Sequence, residues 1–498
     1  MVPFDLLSCD GLTVITKEDE RFDVAVTSRA FISNLPSSDK FPDAVLVATN
    51  THAVQVAVNF CRKYNYRVSP RTGGHNWFSI WLQGNGSIIL DVGDINQVEF
   101  HADTETIVAG PGATNINDQI PKEFFFPSGH CPMVPLGGYI LGNGYGIGFT
   151  KYGMAASLVT GMEVVLASGE IRYIKGTDNN NNNNNKDDDD DEVDTTIMDL
   201  MRGSYHRFPA VITKYVLRAC KAPKCVLPQS FIFDLKDWKL PIKYGRDIMH
   251  RNDLSEDSSS SKNDDDDVVI ETTVVFCHCP SDLSKETGMK KMVILSLMAW
   301  SDKDEVVTRQ VLKNLSERIN IAGTAIPSKS DLPIVAHEVA KKCFGSICPT
   351  KSRYLCDAYV GDDSVLDMSD EAIYELLEPL ALTWTSDDNG LPGPYSHSLL
   401  VLLNRNMKQV NGCELISGFV PAFEVMSYSI YNDESHDEIN WKKLQRSMET
   451  VAESSITWTV PAEGNIRGGG KACYDRETSE RITNMIELID PEGLFLKK

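Results

Sequence analysis

Apolar and polar positions follow two different textures along the chain. In the first, A-V-L-V-A-T at 44–49 is a short unbroken apolar run, and H-A-V-Q-V-A-V-N-F-C-R-K at 52–63 has its apolar residues at helical spacing. A buried strand followed by an amphipathic helix is what this pattern predicts. S-I-I-L-D-V-G-D-I at 87–95 and T-I-V-A-G-P-G-A at 106–113 read as strands that end in turns. G-M-E-V-V-L-A-S-G-E-I-R-Y-I at 161–174 reads as a hairpin with Ser168 and Gly169 at its tip. After residue 225 the runs lengthen: V-V-I-E-T-T-V-V-F-C, K-K-M-V-I-L-S-L-M-A-W, S-R-Y-L-C-D-A-Y-V and E-V-M-S-Y-S-I-Y, with helical stretches between them. These predict one mainly antiparallel sheet with helices on one face. Near the end, Ile482, Met485, Ile486 and Leu488 fall at helical spacing before Pro491 and Gly493 stop the helix.

Two low-complexity blocks interrupt this order: Asn179–Asn185 with Asp187–Asp191, and S-S-S-S-K-N-D-D-D-D at 258–267. Neither can bury enough apolar surface to offset its ordering entropy, so both are expected to be mobile surface loops. They also explain the charge. Residues 178–194 and 253–267 carry net −7 and −6, leaving −9 of the formal −22 for the rest of the chain. That remainder is ordinary for an acidic protein, and nucleic acid is a poor partner for it. No run reaches the roughly 18–20 apolar residues of a membrane span. The first residues lack the basic and apolar regions of a signal peptide, and compartment and oligomeric state stay open. Twelve cysteines in 498 residues are too sparse for a disulfide scaffold, and no spacing suits a metal site.

The candidate chemistry lies in two stiff turns, R-T-G-G-H-N at 71–76 and P-S-G-H-C-P at 127–132, and in G-G-Y-I-L-G-N-G-Y-G directly after. Gly73 and Gly74 let the backbone turn sharply, and successive N–H groups in such a turn form an anion nest. No G-x-G-x-x-G or Walker-type lysine motif is present, so neither common nucleotide fingerprint applies. Taken singly, His75 fits a satisfied loop histidine and Cys131 a buried thiol.

Taken together, R-T-G-G-H-N, then G-H-C-P-M-V-P-L-G-G-Y-I-L-G-N-G-Y-G, then K-Y-G-M-A-A-S with a hairpin, resemble the berberine bridge enzyme-like family of FAD-linked oxidases, which shares the vanillyl-alcohol oxidase fold. The likeness is dense over residues 42–220 and thin beyond. It implies an α+β protein: a PCMH-type FAD-binding domain of two α/β subdomains over 1–225, a substrate domain with an antiparallel sheet flanked by helices over 226–455, and a C-terminal segment, 456–498, completing the FAD domain. It implies FAD bonded covalently to His75 through the C8 methyl carbon and to Cys131 through C6. Arg71, Thr72, Gly73, Gly74, His75 and Asn76 would wrap the pyrophosphate. Gly137, Gly138 and Tyr139 would line the ribityl and phosphate path, with Gly142 and Gly144 allowing close approach. Val134 stands where the family has a small aliphatic that gates oxygen, although Pro135 replaces the usual glycine. Val211, in R-G-S-Y-H-R-F-P-A-V-I-T, would face the cofactor, but Ser204, Tyr205, His206 and Arg207 replace the family's glycine cluster there.

The implied reaction is oxidation of a small alcohol, sugar, amine or secondary metabolite, with hydride passing to FAD and electrons then to O2. A dehydrogenase with low oxygen reactivity and a flavin-binding protein that has lost catalysis are the alternatives. The family's proton-accepting Glu or Tyr is not evident. On F-E-V-M-S-Y-S-I-Y-N-D, Ser427 stands where a Glu or Gln is common. Strand alternation puts Ser427, Ser429 and Tyr431 on one face and Glu424, Met426 and Tyr428 on the other. If the first face meets the flavin, Tyr431 is the base, with Tyr428 as fallback. His397, Tyr359 and Asn465 are further polar residues of no assigned role.

Overall fold

The computed structural model describes residues 4–176, 189–251, 268–320, 326–327, 336–339, 349, 351–361, 363–385, 390–402, 416, 421–459 and 474–495. Asn179–Asn185 with Asp187 and Asp188, the 258–267 block and Asn465 lie outside the described residues, while Asp189, Asp190 and Asp191, expected in a mobile loop, begin the helix Asp189–Met201. The chain divides into two units, one of Met1–Ile147, Met154–Lys221 and Tyr474–Lys498, the other of Gly148–Gly153 and Ala222–Cys473.

The first unit holds two sheets. One joins β1 (Leu12–Thr16), β2 (Ala44–Ala48), β3 (Arg67–Arg71) and β4 (Ser87–Asp91) in the order β1-β2-β4-β3, with β2, β4 and β3 parallel. The crossover between β2 and β3 is a helix, Thr51–Lys63, which begins where Asn50 Oδ1 accepts the Ala53 N–H at 2.9 Å. Its Ala53, Val54, Ala57, Val58 and Cys61 are buried against the sheet, as the 52–63 spacing predicts. The other sheet is antiparallel: β5 (Val98–His101), β6 (Thr106–Ala109), β8 (Val159–Leu166), β9 (Ile171–Lys175) and β10 (Ala210–Arg218), in the order β5-β6-β10-β8-β9. A short ladder pairs β7 (Phe124–Phe125) with β11 (Cys220–Lys221). The predicted hairpin is the β8–β9 pair, with Gly169 at φ +84° in its turn. The terminal helix, Arg476–Ile489, buries Ile482, Ile486 and Ile489, while Leu488 is exposed. A 3.6-residue period starting at 482 reaches 489 rather than 488, which corrects the expected face.

The second unit is built on one eight-stranded sheet: β12 (Cys225–Asp234), β13 (Val268–His278), β14 (Lys291–Ser301), β15 (Ile326–Pro327), β16 (Arg353–Gly361), β17 (His397–Leu402), β18 (Phe423–Tyr431) and β19 (Thr457–Thr459). Its order is β15-β12-β14-β13-β17-β18-β16-β19, and its ladders are antiparallel. One face packs on helices Lys239–Arg251, Glu305–Asn320 and Asp370–Thr385. There Phe231, Val274, Leu295, Leu400, Phe423 and Val425 meet Ile242, Leu312, Leu377 and Trp384. Because β19 pairs with β16, residues 457–459 belong to this sheet and not to the terminal segment assigned from 456 onward. Among the described residues, no helix is long and apolar enough to cross a membrane.

The parallel neighbours β3 and β4 end in register at Arg71 and Asp91, both almost wholly buried. Arg71 Nε and Nη2 reach Asp91 Oδ2 at 3.0 and 2.5 Å, and its remaining donors go to the carbonyls of Val26 (2.7 Å) and Ala25 (2.8 Å). Breaking a buried pair from one side strands the other charge and costs about 3–5 kcal/mol. Asp91→Asn is therefore expected to lower the urea midpoint of the first unit by the equivalent of that loss, read by tryptophan fluorescence.

Candidate functional site

The turn after β3 is fixed by what surrounds it. Gly74 has φ +59°, and a Cβ there would stand 2.8 Å from the Arg29 carbonyl oxygen, so only glycine fits. At Gly73 a Cβ would stand 2.4 Å from the ring of Pro135, which shows how closely this turn meets the loop that carries Cys131. Asn76 then locks the exit: its Oδ1 accepts from the Phe78 N–H (3.0 Å) and the Ile80 N–H (3.2 Å).

Both nucleophiles meet the main chain of Met133. The Met133 carbonyl acts electrostatically on His75, and the N–H groups of Met133 and Val134 act on the Cys131 sulfur. Burial pushes the imidazole down to about 4, against the opposing pull of that carbonyl, so His75 is neutral near pH 7. Burial also raises the Cys131 thiol, and the two N–H groups partly offset it. Phe31 stacks on the imidazole at 4.7 Å between ring centres.

The glycine run closes the cradle. Helix Leu136–Leu141 sets Gly137 against the Thr72 methyl, and the Gly137 N–H donates to the Pro111 carbonyl at 2.8 Å. The Tyr139 phenol lies 2.5 Å from the Pro127 carbonyl and 3.0 Å from that of Gly144, tying the Cys131 loop to the run. Gly142 caps the helix, its N–H donating to the Gly138 carbonyl at 3.1 Å. Gly144, at φ +73°, leaves no room for a side chain beside Ala155 and Tyr139.

Where the glycine cluster is replaced, Tyr205 takes φ +46°, and its phenol oxygen accepts from Asn76 Nδ2 at 3.2 Å. Its ring lies 3.8 Å from where a Gly138 Cβ would be, so Tyr205 roofs the start of the run. Beside it, Ser204 Oγ and Asn143 Nδ2 are buried with no hydrogen-bond partner among the described residues. Orphaned buried donors are rare and normally point to an absent partner. With the glycine nest and the two nucleophiles, they fit a polar, phosphate-bearing cofactor.

Arg71, Thr72, Gly73, Gly74, His75, Asn76, Cys131, Val134, Gly137, Gly138, Tyr139, Gly142 and Gly144 thus fall within three adjoining segments. Arg71 serves there as a buried scaffold, its side chain spent on Asp91 and two carbonyls. Val211 does not join them. It packs among Val54, Val58, Ile88 and Val165 in the core, because β10 turns that side toward the Thr51–Lys63 helix. Phe31, Asn143 and Tyr205 were missed. The departure from glycine at 204–207 marked Tyr205, whereas nothing local marked the other two.

In the second unit, Tyr431 lies on the helix-covered face of the sheet. Phe423, Val425, Ser427, Ser429 and Tyr431 share the helix-covered face, where Ser427 Oγ meets Ser398 Oγ at 2.7 Å and Trp384 Nε1 donates to Ser398. The Tyr431 phenol donates to Asp437 Oδ1 at 2.8 Å, and Arg353 holds the same carboxylate. Burial and that carboxylate raise the phenol well above its ordinary range. Tyr428 lies on the opposite face, its ring 4.8 Å from that of His397. The same face carries Glu271, whose carboxylate takes the Trp300 Nε1–H at 3.0 Å and the Thr150 hydroxyl at 3.1 Å. Tyr359 donates to Asp357 on the helix-covered face, at 3.1 Å. Among the described residues, no cluster of three or more His, Cys, Asp or Glu could hold a metal.

Fold and cradle define an FAD-binding protein. A family model described as an FAD binding domain matches residues 42–175. The FAD-linked oxidoreductase nodO of Hypoxylon pulicicidum is 25% identical over 233 residues, covering 46% of this chain and 48% of that protein. Berberine bridge enzyme-like 2 of Arabidopsis thaliana is 31% identical over 157 residues, covering 30% and 29%. The chain thus spans about half the length, or less, of these curated relatives. The structure of berberine bridge enzyme from Eschscholzia californica superposes over 99% of this chain and 97% of that one, with TM-score 0.71 and 15% identity, a likeness of fold. The chain thus carries an FAD binding domain and is similar to FAD-linked oxidoreductases and berberine bridge enzyme-like proteins.

Gly73→Ala would press a methyl into the Pro135 ring and part the two turns. The flavin-to-protein absorbance ratio of the purified variant is expected to fall by about tenfold or more, with its circular dichroism unchanged, as a local overpacking of 1–3 kcal/mol implies.

Proposed function

We propose that this chain is an FAD-dependent oxidoreductase with its flavin on two covalent bonds, through His75 and Cys131, and that it oxidises a small organic substrate with O2 as final acceptor. The observation that carries the proposal is the close approach of the turn bearing His75 to the loop bearing Cys131, where a Cβ on Gly73 would stand 2.4 Å from the Pro135 ring. An imidazole and a thiol are the side chains able to form such bonds to carbon. Bound FAD supplies an acceptor for the electron pair of a substrate C–H bond.

The protein's own groups do the remaining work. Neutral His75 presents a lone pair on one ring nitrogen, and Phe31 holds the ring plane. Burial raises the Cys131 thiol, and the N–H groups of Met133 and Val134 oppose that by favouring the thiolate. N–H groups of the Gly73–Gly74 turn suit the pyrophosphate, and Ser204 and Asn143 offer further donors to the cofactor. Val134 presents an apolar side chain beside the sulfur, compatible with access for dioxygen. On the substrate side, Tyr428 is the tyrosine on the face free of the three packed helices.

Acid precipitation followed by peptide mass spectrometry tests the tethers. Flavin mass is expected on the peptides of both His75 and Cys131. His75→Ala and Cys131→Ala should each keep pigment in the pellet, and the double variant should release it. Release from the unaltered protein would refute covalent attachment. Reoxidation of the reduced protein by air distinguishes an oxidase, with recovery of flavin absorbance in seconds, from a dehydrogenase.

Tyr431→Phe separates the two tyrosines. It removes one hydrogen bond to Asp437, so a stability loss of about 1–2 kcal/mol is expected, while the rate of anaerobic flavin bleaching by substrate stays within about twofold of the unaltered protein. A loss of several hundredfold would return Tyr431 to the site.

A further inference from the structure

At one end of the first unit's mixed sheet, three strand termini lie level with one another. β1 ends at Thr16 opposite Ala44, where β2 begins, and Ala44 is in register with Ile88 of β4. The residues next in sequence are therefore neighbours: Lys17 after β1, Asp43 before β2, and the pair Asn85-Gly86 before β4. The Asp43 N–H donates to the Ser87 carbonyl at 2.9 Å, which fixes the approach.

Three contacts converge on that pair. Lys17 Nζ donates to Asn85 Oδ1 at 2.7 Å and to Asp43 Oδ1 at 2.7 Å. An ammonium offers only donors, so the carbonyl oxygen of the Asn85 amide, and not its nitrogen, faces Lys17. The other oxygen of the same carboxylate, Asp43 Oδ2, accepts the Gly86 N–H at 2.9 Å. Asn85 and Gly86 are exposed. Gly86 has φ +76°, and a Cβ there would meet nothing within 4 Å, so the space around its amide is open. The turn is held from the protein side. Ser87 donates to the Gly84 carbonyl through its N–H (3.2 Å) and its hydroxyl (2.6 Å), and Arg67 Nη2 donates to the Asn85 carbonyl at 3.1 Å.

A cation on a carbonyl oxygen and a carboxylate on the adjoining N–H are the parts of an acyl transfer: one stabilises the oxyanion, the other takes the proton. We infer that Asn85 is a self-modifying site, at which the Gly86 nitrogen displaces the side-chain amide and the residue becomes aspartate or its β-linked isomer. In the step, Asp43 Oδ2 takes the Gly86 N–H proton while that nitrogen bonds to Asn85 Cγ. The C=O electron pair moves onto Oδ1, against Lys17. The Cγ–Nδ2 bond then breaks, the departing nitrogen takes the proton back from Asp43, and ammonia leaves a cyclic imide. Water opens the imide at either carbonyl. Nothing is oxidised or reduced, and no cofactor takes part. Opening at the main-chain carbonyl leaves the β-linked form, with one methylene more in the chain directly ahead of β4. There the Gly86 carbonyl accepts from the Arg67 N–H at 3.0 Å, so the change acts on the first rung between β3 and β4.

The full-length protein as purified is held at neutral pH for several days. The peptide containing Asn85 is followed by mass spectrometry, and β-linked aspartate is read with an isoaspartyl methyltransferase. Asn143-Gly144, the same pair with Asn143 buried, is the internal reference. Conversion at Asn85 is expected to run about tenfold faster in the folded protein than in the same chain unfolded in guanidinium chloride, while Asn143 in the folded protein stays intact. Asp43→Asn keeps an acceptor for the Gly86 N–H and removes the base; Lys17→Gln keeps a donor for Oδ1 and removes the charge. Each is expected to slow conversion about tenfold at unchanged circular dichroism. Conversion no faster in the folded protein than in the unfolded chain overturns the inference, and that comparison stands whether or not a variant folds. An unchanged rate in either folded variant overturns it as well. So does a lasting loss of ammonia with the Lys17 and Asn85 peptides joined, since the lysine and not Gly86 would then have attacked.

Discussion

The buried contact between Arg71 and Asp91 carries the cofactor half of this protein. Two parallel strands end side by side, and the charges at their carboxyl ends are the last residues before the chain turns away on each strand. Arg71 fills its donor set with one carboxylate and two carbonyls, and Trp81 covers the guanidinium face at 5.0 Å. Arg29 adds a second cation to the same carboxylate at 2.8 Å. A charge pair taken from water contributes little unless every donor is met, and here nearly all are. The benefit is positional, because the R-T-G-G-H turn begins from a residue that cannot shift without exposing an unpaired charge.

From that fixed start, close approach does the rest. Gly73 against the Pro135 ring, and Gly137 against the Thr72 methyl, bring three separate segments to backbone contact. Tyr139 bridges two of them through one phenol. A cradle assembled this way is stiff before anything enters it, which is how a protein limits the ordering cost of holding a large ligand. Ser204 Oγ and Asn143 Nδ2, unpaired among the described residues, are consistent with such a site, since buried donors without partners are tolerated where a ligand supplies them.

Elements with a local signature were legible from the sequence. The 44–49 strand, the 52–63 helix and the Ser168-Gly169 hairpin follow from periodicity and turn chemistry within a dozen residues. The face of β18 was not. All nine of its positions are buried, so no polar alternation distinguishes the helix-covered side from the other. Tyr431 and Tyr428 were therefore separable by parity but not assignable, and Asp437, which claims Tyr431, arrives from a helix six residues later. Val211 failed for the same reason, lying in a stretch of β10 buried on both faces. The contribution of Asn143 depends on Gly203 and Ser204, sixty residues away, and no spacing rule reaches that far.

The two histidines argue for one device used twice. In each unit an imidazole is largely removed from water, which favours the uncharged ring, and in the second a main-chain carbonyl, that of Tyr395, selects the tautomer of His397. An aromatic ring fixes the plane in both cases, Phe31 for the first and Tyr428 for the second. What remains on each neutral ring is one lone pair. Such a lone pair can form a bond to carbon or take a proton, and the choice depends on what stands opposite, not on the histidine. Because a carbonyl can only accept, the His397 ring cannot reverse its tautomer without losing its hydrogen bond to Tyr395, so the direction of its lone pair is set before any ligand arrives.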